Sequence, residues 1–294
     1  MTVEASSVAE NPRLGIFLMV VATTLFSAMW ALAKVLSARY PIVEVAFFRS
    51  IFGFLPVSVM VATHGGWAAL RVHKFPKHVW RTILGVTGLG LGIFSYHLMP
   101  LADAVAISFA SPLVVTALSM PLLGERVGLY RWTAVIVGFV GVLIIVRPGG
   151  DMFNLGAVAA VVAACLTGLV YITLRQLNRI DRPVTIVFYF ILLSSVFTSI
   201  PLPFVWVAPT MQDWGLAAAL GLCGGCAQYC MTRAFGLARA AVISPFGYMG
   251  LLWSGLLGWL IWNDVPGVNV FLGAPIVIGS GLAILYRETG KSTG

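Results

Sequence analysis

Residues 88–112 read GLGLGIFSYHLMPLADAVAISFASP, and residues 221–245 read GLCGGCAQYCMTRAFGLARAAVISP. In the first stretch Gly88, Gly92, Tyr96 and Pro112 stand at intervals of four, four and sixteen, and Gly221, Gly225, Tyr229 and Pro245 repeat those intervals in the second. The pattern implies a duplicated half. Near the start of each half the offset is 141, pairing Gly15 with Gly156, Val20 with Val161, Leu25 with Leu166, Trp30 with Tyr171 and Lys34 with Arg175. It is 133 for the two quoted stretches and 140 for Gly141 with Gly281, so insertions separate the copies.

Composition fixes the solvent. Of 294 residues 60% are hydrophobic and 10% charged, with mean hydropathy +0.97, which a soluble domain of this size would not sustain. A bilayer span needs about 20 apolar residues. Ten such stretches are read at 14–36, 42–63, 79–98, 102–122, 130–146, 155–174, 184–204, 214–232, 240–262 and 267–286. Backbone N–H and C=O groups in hydrocarbon must be satisfied within the segment, so long unalternated spans are helices. The expected fold is all-α, with ten transmembrane helices. Five spans per half is an odd number, so the second copy enters the membrane inverted, an architecture found in secondary transporters. The expected division is a tail 1–13, a first repeat 14–149, a second repeat 150–287 and a tail 288–294.

Lys and Arg are retained on the cytoplasmic side. With the N-terminus inside, fourteen of the eighteen basic residues fall in cytoplasmic segments, Lys34, Arg39 and Arg147 fall outside, and Arg49 lies within the second span. Both termini are expected in the cytoplasm. The net charge of +8 then reflects loop asymmetry; dispersed over short segments, it gives no patch for nucleic acid. The first apolar run exceeds twenty residues without a small-residue cleavage signal, which predicts a true span rather than a cleaved leader.

Enzyme chemistry has no visible set of residues. The sequence shows no paired carboxylates in a shared cleft, no Ser/His/Asp order and no HExxH. Gly290, Lys291 and Ser292 imitate the end of a phosphate-binding loop, but Leu285 takes the first-glycine position and no helix follows. Cys165, Cys223, Cys226 and Cys230 all fall in predicted spans. Cys223, Cys226 and Cys230 share a helix face, which raises a soft-metal site; small packing residues on a helix interface are the favoured reading, and no metal or cofactor is expected. The 64–78 interval, with His64, His73 and His78, is read as a solvated loop.

Function is therefore sought within the bundle. The glycine pairs let helices approach closely, and Tyr96 and Tyr229 fall one turn further along the same faces. Thr23, Ser27, Trp30 and Lys34 form a stripe in the first span, Ser108, Ser111 and Ser119 in the fourth, Ser244 and Tyr248 in the ninth. Trp30, Tyr96, Ser111, Tyr171, Tyr229, Ser244 and Tyr248 are the candidate solute contacts, with Pro112 and Pro245 as hinges or ligand contacts. Ionisable residues inside spans are functional suspects. Glu44, Arg49 and His97 are candidates for an ion pair or proton coupling; Glu44 and Asp103 sit close enough to span ends to be hydrated, and Arg49 should need a carboxylate partner.

From Ala106 the chain reads AISFASPLVVTALSMPLLGERVGLYRW and then GFVGVLIIVRPG; the second half carries SPFGYMGLLWSGLLGWLIWNDVPG and GAPIVIGSGLAILYRE. These stretches resemble the two repeats of the EamA-type drug/metabolite transporter superfamily, over nearly the whole chain. Asp264 stands where the family commonly has Glu, while Glu125 is retained in the first half. The resemblance implies a ten-helix carrier of the bacterial inner membrane, often an exporter of amino acids or related metabolites. The reading is a secondary transporter of small metabolites, amino acids foremost, working by alternating access; its partners are a small-molecule substrate and the lipid bilayer. A multidrug or other-metabolite efflux carrier, a channel or a structural membrane subunit are the alternatives. No oligomeric state is fixed, and a monomer is compatible.

Overall fold

The computed structural model describes residues 11–63, 65–111, 113, 114, 117, 118, 129–146, 155–177, 180–237, 246, 247, 249–265 and 267–290. Among them the secondary structure is helical throughout, as expected. The helices are α1 (Pro12–Ser37), α2 (Ile42–Thr63), α3 (Phe75–Leu98), α4 (Leu101–Ser108), α5 (Leu129–Val146) and α6 (Leu155–Leu177). There follow α7 (Pro183–Ser199), the single turn α8 (Leu202–Val205), α9 (Met211–Leu237), α10 (Met249–Trp262) and α11 (Val268–Gly290). Among the described residues three segments are long and apolar enough by themselves to cross a membrane: Arg13–Ser37, Ile42–Thr63 and Leu155–Leu174. Pro112, Glu125, Ser244, Pro245, Tyr248 and His64 lie outside the described residues, as does the side chain of Arg175.

Helix starts follow local chemistry. Pro12 occupies the first turn of α1, where its missing N–H costs nothing, and the Asn11 side chain accepts from the Leu14 N–H at 3.1 Å. Pro183 opens α7 in the same way. At the other end of α10, Asn263 adopts a left-handed conformation (φ 56°), and its N–H donates to Trp259 O at 2.9 Å, which turns the chain so that Asp264 faces α1.

The two halves are interleaved. The most extensive helix pairs are α1 with α9, α2 with α9, α5 with α11 and α3 with α6. The opening helix of each half thus packs on the glycine-pair helix of the other. The same exchange joins α4 to α6 and α10 to α1. Glycine makes these approaches possible: a methyl at Gly221 would lie 2.9 Å from the Gly53 backbone N on α2, and one at Gly225 2.9 Å from the Gly53 carbonyl oxygen. Between α5 and α11, a methyl at Gly141 would come 3.0 Å from the Gly273 oxygen. Leu55, Val59, Phe139, Leu252, Leu260 and Phe271 stand exposed around the bundle, an apolar exterior suited to lipid.

The interval between α2 and α3 is largely exposed, as its polarity suggests, but it is also anchored to the second half. Gly65 and Gly66, both at positive φ, start a 3₁₀ turn over Gly66–Leu70 whose Ala69 and Leu70 are buried. Thr185 donates to Ala69 O at 2.6 Å, and Asp181, buried between α6 and α7, accepts from the rings of His73 at 2.7 Å and His78 at 2.8 Å. The segment is clamped onto the second half, because burying the Asp181 carboxylate requires donors and the two histidines supply them.

Candidate functional site

Two successive residues of α1 face two different neighbours. Trp30 turns toward α3, where its ring meets Tyr96 edge-on at 4.9 Å and an added methyl at Gly92 would sit 3.8 Å from it. Met29 turns toward α2 and α9: its sulfur accepts from Arg49 Nε at 3.4 Å and lies 2.9 Å from where a Gly224 methyl would be. A side chain at 224 would have to displace Met29. Beyond Arg49 lies Phe190 of α7, with the Arg49 guanidinium 5.7 Å and the Arg81 guanidinium 4.0 Å from the ring centre.

Residues from α1, α2, α3 and α7 therefore form one group, Tyr96, Trp30, Met29, Arg49, Phe190 and Arg81, with Gly224 of α9 against Met29. Arg49 lies seven residues from the start of α2 and Arg81 six from the start of α3, depths of roughly 10 Å and 9 Å at about 1.5 Å per residue. The two long side chains converge on the ring of Phe190. Arg49 is 8% and Arg81 3% exposed. Among the described residues neither meets a carboxylate within ion-pair distance, and Arg81 Nε and Nη1 have no hydrogen-bond partner.

A second polar cluster sits where α1 ends. Lys34 reaches Asp264 at 3.1 Å and the Met99 carbonyl at 3.3 Å, and lies 4.6 Å from the centre of the Trp262 ring. Close by, Arg39 and Tyr40 donate to Asp213 at 2.9 and 2.7 Å. On the opposite side is the Asp181 clamp. Burial pushes the Asp181 carboxyl up, but the hydrogen bonds from His78 and His73 outweigh it and hold the group below the usual carboxylate range.

The predicted site residues divide. Trp30 and Tyr96 are in contact, Tyr96 being only 5% exposed, and Tyr229 packs on the cluster that contains Phe190. Ser111 is buried, its hydroxyl donating to the Ser108 carbonyl at the end of α4. Tyr171 is 40% exposed on α6, apart from this group. His97 is exposed near the end of α3. Two expectations are corrected. Arg49 has no carboxylate partner among the described residues; a thioether and an aromatic ring occupy its surroundings instead. Glu44 and Asp103 are enclosed by protein rather than hydrated: Glu44 accepts from the Val207 N–H at 3.0 Å, and one oxygen of each carboxylate is buried with no partner.

The profile of the EamA-like transporter family matches residues 13–147 and again 154–286. The chain belongs to that family. It is 30% identical over 281 residues to the pseudopaline exporter CntI of Pseudomonas aeruginosa, covering 94% of this chain and 97% of the relative. It is also 30% identical over 290 residues to a riboflavin transporter of Vibrio cholerae, covering 97% of each, and 28% identical over 262 residues to an S-adenosylmethionine uptake transporter of Rickettsia bellii, covering 89% and 90%. A solved crystal structure with 20% identity superposes at a TM-score of 0.63 over 92% of this chain and 95% of its own, a likeness of fold. The chain is a multi-pass bacterial membrane protein of a metabolite-transporter family.

In this EamA-like chain, sequence reasoning overlooked Arg81, Phe190 and Met29. Arg81 belongs by charge with the cytoplasmic basic residues, yet its position two residues inside the predicted span 79–98 is a signal of burial. Met29 and Phe190 carried none, since one thioether or phenyl ring in an apolar span looks like any other.

Proposed function

We propose that the protein is a secondary carrier that exports small metabolites, amino acids foremost, across the bacterial inner membrane by alternating access, with both termini in the cytoplasm. The observation that carries this reading is the exchange of helices between halves, α1 onto α9 and α3 onto α6. Two halves that interlock through glycine-lined contacts can rock about a shared centre, and that centre holds Trp30, Tyr96, Met29, Arg49 and Phe190. In this reading ten spans form two inverted repeats over 14–149 and 150–287, and the path between them is lined by Trp30, Tyr96 and Tyr229, with Ser244 and Tyr248 contributed by the second half. A second reading, a larger or aromatic metabolite as cargo, is favoured by the relatives named for pseudopaline, riboflavin and S-adenosylmethionine.

The test compares variants in reconstituted liposomes. Trp30→Ala and Tyr229→Ala should each reduce solute flux at least tenfold while the protein still reconstitutes, and the lipid-side control Leu55→Ala, at an exposed position, should be silent. Equal flux in all three would remove the aromatic residues from the path. Phe188 would be an unsuitable control: it is half-buried, with its ring 6.2 Å from Phe54 and 5.6 Å from Tyr189.

A further inference from the structure

Resting on the reading of the bundle interior as a solute path, we infer that Arg49 and Arg81 form a carboxylate-binding site beside the Phe190 ring, and that the transported solute carries a carboxylate on an apolar or aromatic body. Both guanidiniums remain charged at any physiological pH. An uncompensated charge in a low-dielectric interior costs several kcal/mol even after relaxation, and here two like charges converge on a single ring. A cation–π contact has no counter-charge and leaves both guanidiniums positive. The ring therefore does not balance the two charges.

Nothing described in the chain balances them either. The carboxylates described with their side chains all lie elsewhere: Asp181 meets His73 and His78, Asp213 meets Arg39, Asp264 meets Lys34, Glu44 accepts from the Val207 N–H and Asp103 from the Gly267 N–H, and none of them is within ion-pair distance of Arg49 or Arg81. Arg81 Nε and Nη1 are buried donors without an acceptor. A planar carboxylate supplies what is missing, because its two oxygens match the guanidinium fork and its charge offsets one of the two positive charges. The surroundings select the rest of the solute. Met29, Phe190 and, through the neighbouring Trp30, Tyr96 form an apolar and aromatic wall next to the cations, suited to a hydrophobic body attached to the acid.

The experiment uses detergent-purified full-length protein and two probes of the same shape, benzoate and benzamide, with sodium chloride holding ionic strength constant. Thermal unfolding is followed against probe concentration. Benzoate should raise the midpoint saturably, and benzamide should need at least tenfold more for the same shift. Arg49→Gln and Arg81→Gln should each weaken the benzoate response at least tenfold. Where a Gln variant fails to fold, the Lys variant at that position keeps the charge but loses the fork, and its benzoate response should fall severalfold. Equal potency of benzoate and benzamide on the unmodified protein, or a benzoate response unchanged in the Arg variants, would overturn the assignment. The readout is binding, so an absence of amino-acid flux would count against the transport reading and leave this result to stand by itself.

Discussion

Lys34 on α1 and Asp264 beyond the end of α10 lie 3.1 Å apart and tie the first half of the chain to the second. Neither is fully buried, with side chains 12% and 31% exposed, so the pair acts in partial solvent and its coupling is modest. A double-mutant cycle with Lys34→Gln and Asp264→Asn should give a coupling of about 1 kcal/mol in unfolding free energy. The double variant should be little worse than either single one. Strict additivity would show that the two side chains do not interact in the membrane-embedded protein.

The Asp181 clamp predicts a pH dependence with a defined sign. Its carboxyl is held below the usual range in the folded protein, whereas in the unfolded chain it titrates near 3.9. The resulting stabilisation is present above the unfolded value and is lost as pH falls through the folded one. Unfolding midpoints measured from pH 7 down to pH 3 should decline less steeply in Asp181→Asn than in the unmodified protein. Identical slopes would remove Asp181 as a source of acid sensitivity.

Glycines at helix contacts and glycines in open space should respond in opposite ways. A methyl at Gly225 would lie 2.9 Å from the Gly53 carbonyl oxygen and would also crowd Pro56, so Gly225→Ala should destabilise by about 1 to 3 kcal/mol through overpacking. At Gly90 no atom stands within 4 Å of the added methyl, and Gly90→Ala should be neutral or stabilising by up to about 1 kcal/mol, since Ala favours the helix. Unfolding of the two variants side by side checks the α2–α9 contact.

Much of this architecture was legible in the sequence, because hydropathy and a repeated spacing are read along the chain. Gly221 and Gly225 announced a close helix approach, and the structure supplies the partner, Gly53. The Trp30–Tyr96 contact was anticipated only as two candidates for a common cavity; no spacing rule relates residues 30 and 96. The errors have a common physical origin. Arg49 was assigned a carboxylate because buried charges are usually paired, and the structure instead brings it to the ring that Arg81 also approaches. His78 looks solvated among Arg71, Lys74 and Lys77, and only the fold brings Asp181, a hundred residues on, to meet it and the exposed His73.

Orientation is open to labelling. With Arg81 buried in the bundle, thirteen basic residues on one side against three on the other predict cytoplasmic termini. In a background freed of its own cysteines, Thr2→Cys, Lys77→Cys and Thr293→Cys should be shielded from an impermeant thiol reagent in intact cells, while Asp151→Cys should react. Labelling at position 2 from outside would reverse the assignment.

The central claim is carriage of a small metabolite without nucleotide hydrolysis, and flux into liposomes tests it most directly. Purified protein reconstituted without ATP should move labelled Met, Thr or an aromatic amino acid down its gradient at a rate that saturates with concentration, and unlabelled solute on the far side should accelerate the exchange. Flux no greater than in empty liposomes would contradict the amino-acid assignment, and flux that rises without saturating would contradict the carrier itself.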